Sequence, residues 1–206
     1  MKNYLKKQKP GNVGSSNMIV ENPLMLMIKL ARYKFYSKMI NERDVVLDLG
    51  CGQGISTNFY SKFCKYVYGV DLLSEFIETK NTNIEFIKKS LQNVKKTDFK
   101  KKITFISLND VIEHFSKKKG EKILKRCKSI LSKKGDVLMI GTPSKYSSKY
   151  RSTQSKKQHI YEYKPEELKN ICNKHFDRVF QFSMNDEVIN TGFSKLSWFN
   201  FFICIK

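Results

Sequence analysis

The stretch Asp48-Leu49-Gly50-Cys51-Gly52-Gln53-Gly54, with Asp71 farther on in Gly69-Val70-Asp71, holds the residue types whose spacing points most directly to a ligand. Glycine carries no Cβ and tolerates positive φ, so such a loop can turn sharply and bring its backbone against a bound molecule. Dinucleotide sites use Gly-x-Gly-x-x-Gly to seat a pyrophosphate on a helix N-terminus; the spacing here is Gly50-x-Gly52-x-Gly54. Asp48, before the first glycine, would repel a pyrophosphate but suits the ammonium and sulfonium charges of S-adenosylmethionine. Asp71 ends an apolar run, where a carboxylate can accept both ribose hydroxyl protons. Acids in register with these glycines predict a site for S-adenosylmethionine and disfavour a dinucleotide.

Such a loop needs a strand before it and a helix after it. From Asp44 onward, short apolar runs alternate with amphipathic stretches. Strands are expected at 45–49, 66–70, 84–87, 103–108 and 137–141. Helices are expected from Ile55, from Ser74 and over 117–131, the last with Ile123, Leu124, Cys127, Ile130 and Leu131 on one face. After Gly141-Thr142-Pro143 a loop rich in Ser, Lys and Tyr runs to about His159, followed by a helix at 165–175 and strands at 179–182 and 198–205, joined by 184–195. Near-continuous apolar strands separated by helices predict a doubly wound, Rossmann-like α/β fold. The expected sheet has seven strands, mostly parallel with the last antiparallel, and helices on both faces. Ligands in such sheets bind beyond the C-terminal ends of the strands, where the glycine loop leaves the first.

At 206 residues and 24.2 kDa the chain suits one core, with an N-terminal arm and covering helix over 1–40 and the α/β domain over 41–206. Residues 1 to about 20 are rich in Lys, Gly, Ser and Asn and read as an arm; Asn22-Pro23 then starts a helix with Leu24, Met27, Ile28, Ala31 and Phe35 at helical spacing. Too few basic residues line its polar face for a membrane-surface helix. The net charge of +20 would draw phosphates, nucleic acid or anionic lipid, but the lysines are scattered along the chain, as on a solvated surface. The five cysteines stand far apart without a Cys-x-x-Cys pair, so neither a zinc site nor a disulfide framework is expected. No apolar run long enough for a signal peptide or membrane span is visible, and a cytoplasmic location is expected.

From about Asp44 to the C-terminus the sequence resembles the class I S-adenosylmethionine-dependent methyltransferases. Within them it looks most like the branch containing ubiquinone-biosynthesis-type and sugar or surface-glycan O-methyltransferases. The likeness rests on Leu47 to Gly54, Gly69-Val70-Asp71, Asp110-Val111-Ile112-Glu113-His114, Leu131 with Gly135, and Thr142-Pro143. It implies that Gly50, Cys51 and Gly52 lie under the methionine part of the cofactor, that Asp71 takes the ribose, and that Leu108-Asn109 lines the sulfonium; Gly54 and Leu72 are further expected cofactor contacts. The family often carries an Asp after strand three for the adenine amino group; the matching stretch reads Phe86-Ile87-Lys88-Lys89-Ser90-Leu91-Gln92, leaving Ser90 as its substitute, with Leu91 beside it as a further expected cofactor contact. The demethylated product is S-adenosylhomocysteine.

Methyl transfer to an alcohol needs a proton removed, and histidine is the usual base. His159 follows the loop that crosses the substrate pocket in related methyltransferases and is the first choice; its alternative is a solvent-exposed loop residue. His114 lies one helical turn from Asp110, beside a second reading in which Asp110 and Glu113 form a helix capping box and His114 merely flanks it. His175, late in its helix, is set aside. Tyr146, Tyr150, Arg151 and Tyr161 are placed to hold an acceptor, Arg151 suiting a phosphate or carboxylate. The expected acceptor is a small polar or anionic molecule, such as a sugar or a phosphate- or nucleotide-linked glycan precursor. The alternatives are an RNA ribose 2′-hydroxyl, an amine, and a non-catalytic S-adenosylmethionine-binding module. No metal is expected.

Overall fold

The computed structural model describes residues 22–72, 76 and 79–206; the N-terminal arm and the start of the helix expected from Ser74 lie outside the described residues. The elements run α1 (Pro23–Met39), β1 (Val45–Leu49), α2 (Ile55–Tyr60), β2 (Tyr66–Asp71), β3 (Ile84–Lys88), β4 (Phe105–Asn109), α3 (Lys117–Ile130), β5 (Val137–Pro143), α4 (Thr153–Gln158), α5 (Pro165–Asn173), β6 (Arg178–Asn185), β7 (Val188–Asn190) and β8 (Phe199–Ile205). One sheet has the order β3-β2-β1-β4-β5-β8-β6-β7. β1 to β5 pair in parallel, whereas β8 runs antiparallel to β5 and to β6, and β7 antiparallel to β6. Among the described residues the sheet therefore has eight strands, not seven. The extra strand is three residues long, and Asp186 takes φ +57° in the turn before it; so short and polar a hairpin reads as a linker.

The apolar runs form strands because alternate residues enter two separate buried clusters. Leu47, Ile106, Leu138, Ile140 and Phe202 pack with Ile123, Leu124 and Cys127 of α3 and with Leu168 and Ile171 of α5. Their strand neighbours Val46, Phe105, Met139 and Phe201 pack with Ile28, Tyr33 and Tyr36 of α1 and with Tyr60 of α2. Burying each such side chain contributes about 1.5–3 kcal/mol. In α1, Asn22 caps the N-terminus by accepting from Met25 N at 3.1 Å, and Pro23 fills the first turn. Its buried face is Ile28, Tyr33 and Tyr36, so Leu24 and Met27, expected on the apolar side, are exposed. The segment after β5 is more ordered than a bare loop: Ser144 accepts from Tyr146 N to start a 3-10 turn, and Ser152 accepts from Ser155 N to start α4. Among the described residues no helix is long and apolar enough to cross a membrane.

The chain steps outward from β1 to β3 and returns beside β1 as β4. That reversal brings the segments after β1, β2, β4 and β5 together at one edge of the sheet.

Candidate functional site

The glycine loop is tied to β2. Gly50 N and Cys51 N donate to Val70 O at 2.8 and 3.3 Å, and Gly52 N donates to Asp71 Oδ2 at 2.8 Å. Gly50 has φ +76°, and a Cβ there would come within 2.3 Å of Val111 Cγ2. Gly52 has φ +56° with no atom within 4 Å of a would-be Cβ among the described residues, leaving open space above the loop beside Asp71. Bare backbone, open space and an adjoining carboxylate fit the methionine and ribose parts of S-adenosylmethionine. Gly54 caps α2, Cys51 is buried, Leu72 is exposed, and Ser90 and Leu91 begin a 3-10 turn beyond β3.

Asp48 departs from expectation. It is 3% exposed and accepts from Ser56 Oγ at 2.6 Å and Thr57 Oγ1 at 2.8 Å, so it anchors the start of α2 instead of facing a cofactor. Burial pushes its pKa up against those hydrogen bonds.

After β4 the chain turns sharply. Asp110 adopts φ +54°, donates its N–H to Gly141 O at 2.9 Å, and accepts from Arg32 Nη1 on both carboxylate oxygens at 3.0 and 2.9 Å. Asn109 Nδ2 adds a bond at 3.1 Å, and the Arg32 guanidinium lies 3.8 Å over the Phe199 ring. Burial opposes ionisation of Asp110, yet the positive charges of Arg32 and Lys29 hold its pKa below the usual carboxylate range. No capping box forms: residues 112–114 make a 3-10 turn without a side-chain cap. Glu113 is 1% exposed; its Oε2 accepts from Thr142 Oγ1 of β5 at 2.9 Å, and burial with the Asp110 charge pushes its pKa up to about 7.

The two candidate histidines, read from the sequence as rivals, belong to one cluster. Glu113 O accepts from Ile160 N at 2.9 Å and Tyr161 N at 3.0 Å, fastening the segment that carries His159 over the β4 turn. The His114 and His159 rings meet edge to face with centroids 5.3 Å apart. His114 Nδ1 lies 3.1 Å from Gln158 O, and His159 Nδ1 lies 2.6 Å from Glu162 Oε1. A carboxylate oxygen of Glu113 and a ring nitrogen of each histidine fall within 4.8 Å of one another, a grouping that could hold a metal ion. His175 stands apart, 3.0 Å from Glu121.

The four residues expected to grip an acceptor do not all meet: Tyr161 lines a cavity at His159 that Tyr146, Tyr150 and Arg151 do not line. Arg151 spends its guanidinium inside the protein, on Glu162 Oε1, Ser144 O, Ser147 Oγ and Trp198 O, which removes it as a ready anion ligand. The hydroxyls of Tyr146 and Tyr161 donate to Glu166 and Glu167, and Tyr150 is 74% exposed. That cavity, of about 430 Å³, is lined by Tyr161, Glu162 and Glu167 and by Lys145, Lys149, Lys156 and Lys164. Sequence reasoning missed Arg32 and Glu162 as partners in the site: Arg32 reaches Asp110 from 78 residues away, whereas Glu162, three residues from His159, was within local reach; Glu113 and Thr142 stood in the resembling motifs without the bond that joins them.

A mixed sheet of this order, with five parallel strands and a glycine loop leaving the first, is the fold of a solved S-adenosylmethionine-dependent methyltransferase. The methyltransferase domain family matches residues 27–176, more than half of the sequence, and the chain belongs to that family. A probable cobalt-precorrin-6B C(15)-methyltransferase (decarboxylating) of Methanocaldococcus jannaschii is 42% identical over 57 residues, covering 27% of this chain and 31% of that protein. The chain thus spans about a third of that curated relative's length. Among solved structures, a SAM-dependent methyltransferase from Archaeoglobus fulgidus has a TM-score of 0.67 at 18% identity, over 92% of this chain and 99% of that one. The small RNA methyltransferase HEN1 has a TM-score of 0.67 at 14% identity, over 86% and 25%. At such identities the likeness is one of fold.

Proposed function

We propose that this methyltransferase O-methylates a small, anionic hydroxyl compound, a sugar or a phosphate- or nucleotide-linked precursor of the kind used in glycan or metabolite biosynthesis. The observation that carries this is the lysine-lined cavity opening at His159, whose Lys145, Lys149, Lys156 and Lys164 suit an acceptor with negative charge. S-adenosylmethionine, when bound, supplies a methyl group on a sulfonium that is already a strong electrophile. Gly50, Gly52 and Asp71 are the residues that would hold it, with Asn109 nearby at the end of β4. The chain's remaining task is to orient the acceptor and take its hydroxyl proton. His159 is suited to that task because its Nδ1 is engaged by Glu162, which leaves Nε2 to face a proton.

The test is S-adenosylhomocysteine formation across a panel of anionic hydroxyl compounds. His159→Asn should lower turnover by about 100-fold or more with S-adenosylmethionine affinity unchanged by calorimetry; undiminished turnover removes His159 from the reaction. A second reading, methylation of an RNA ribose 2′-hydroxyl, is supported by the net charge of +20 and by the fold shared with the small RNA methyltransferase HEN1.

A further inference from the structure

We infer that Glu113, His114 and His159 bind a divalent first-row transition-metal ion at the C-terminal edge of the sheet. One oxygen of Glu113 and one ring nitrogen of each histidine lie within 4.8 Å of one another, against the separations of about 3 to 3.5 Å that ligand atoms adopt around a shared ion. Three features distinguish this grouping from an ordinary polar cluster.

The first is the state of Glu113. Its side chain is 1% exposed; Oε2 accepts from Thr142, and Oε1 is buried with no hydrogen-bond partner among the described residues. An orphaned carboxylate oxygen in a protein interior is costly, and a cation is the partner that its lone pairs lack. The second is how the rings are oriented. His114 Nδ1 faces Gln158 O, and His159 Nδ1 faces Glu162 Oε1. A ring whose Nδ1–H donates to a carbonyl or carboxylate presents Nε2 as a lone pair, the arrangement by which outer carboxylates and carbonyls prepare histidines for a metal. The third is the neighbouring charge. Asp110, the other acid in the turn, is committed to Arg32 on both oxygens, so the cluster keeps one carboxylate and two imidazoles.

That donor set favours ions between Mn²⁺ and Zn²⁺ over Mg²⁺ or Ca²⁺, because imidazole is a poor ligand for hard cations. Three protein ligands leave coordination positions open, and the cavity beside His159 is where a hydroxyl oxygen could reach them. This step rests on the acceptor-activating reading of the site and refines it. The Nε2 lone pair of His159 is a ligand, and the ion acidifies the acceptor hydroxyl, whose proton passes to solvent.

Binding is measured on the full chain, stripped with chelator, without methyl donor or acceptor, by titrating Mn²⁺ followed by electron paramagnetic resonance and Co²⁺ followed by its d–d absorption. One ion per chain is expected, weakened tenfold or more in His114→Ala and in His159→Ala and unchanged in His175→Ala, with S-adenosylmethionine affinity confirming that each variant is folded. Wild-type protein that binds neither ion more tightly than the folded His114→Ala variant overturns the site. Should both variants unfold, the wild-type Co²⁺ spectrum decides: nitrogen-ligand d–d bands support the site, and a spectrum of aqueous Co²⁺ at saturation overturns it. Failure here leaves His159 as a base. Metal binding without turnover on any hydroxyl compound strikes the O-methylation reading alone.

Discussion

Asp48 lies beneath the glycine loop with its hydrogen-bond donors, Ser56 and Thr57, drawn from the first turn of α2. Burial raises its pKa from an ordinary 3.8, so just above that value the folded state holds more protons than the unfolded one. Stability from this group is therefore fullest at low pH and falls as pH rises toward the folded pKa, by at most about 1.4 kcal/mol per pH unit. Asp48→Asn carries no such dependence. Its melting temperature relative to wild type should improve between pH 4 and pH 7.5 in thermal unfolding scans; a difference that is flat or worsens with pH contradicts the buried-charge assignment. The sequence placed Asp48 correctly at a strand end but not its direction. Alternation sends it to the side of Val46 and α2, whereas a spacing rule records only that it precedes a glycine. Asp71, at the end of β2, meets the glycine loop through Gly52 N, a pairing of strand end and loop that follows from the parallel order of β1 and β2. His114 and His159 were both visible as candidates, yet their meeting depends on backbone bonds from Glu113 O to residues 160 and 161 that no local pattern encodes.

At the scale of elements, α1 reaches across the sheet edge through one side chain. Arg32 clamps Asp110, whose φ of +54° is a conformation that costs a residue other than glycine about 1–3 kcal/mol unless its surroundings enforce it. The pair is mostly buried, with side chains 11% and 24% exposed. Removing one partner strands a charge, so Arg32→Met should lower the free energy of unfolding by about 3 kcal/mol in urea titrations. Arg32→Met with Asp110→Asn should recover part of that loss, because asparagine tolerates the left-handed region and carries no charge. A double variant no more stable than the single one contradicts the ion-pair account. Strand periodicity disclosed the parallel core, since β1, β2, β4 and β5 are apolar runs whose two sets of alternate residues are both buried. It failed where length failed: β7 is three residues of mixed polarity. The serine-rich stretch after β5 hid two starts, at Ser144 and Ser152, because a capping serine and a loop serine look alike without the helix they precede.

The whole molecule carries a charge of +20, and the scale of that charge does not by itself choose between a small anionic acceptor and RNA. The distribution can. If the excess is a general solvated surface, RNA binds diffusely at low salt, and no small group of lysines controls it. If RNA is the acceptor, its backbone must pass the cavity at His159, and Lys149 and Lys156 at that cavity would each neutralise a phosphate. Each such contact to a single strand contributes about 0.7 to the slope of log affinity against log salt. Lys149→Gln with Lys156→Gln should therefore leave the RNA slope unchanged within error while weakening capture of a small anionic acceptor, read as a raised KM with kcat preserved. A slope reduced by about 1.4 in fluorescence anisotropy over a salt series would instead show two phosphate contacts at the cavity. That result would put the ribose 2′-hydroxyl ahead of the small anionic acceptor, because it joins the charge to the cavity edge at His159.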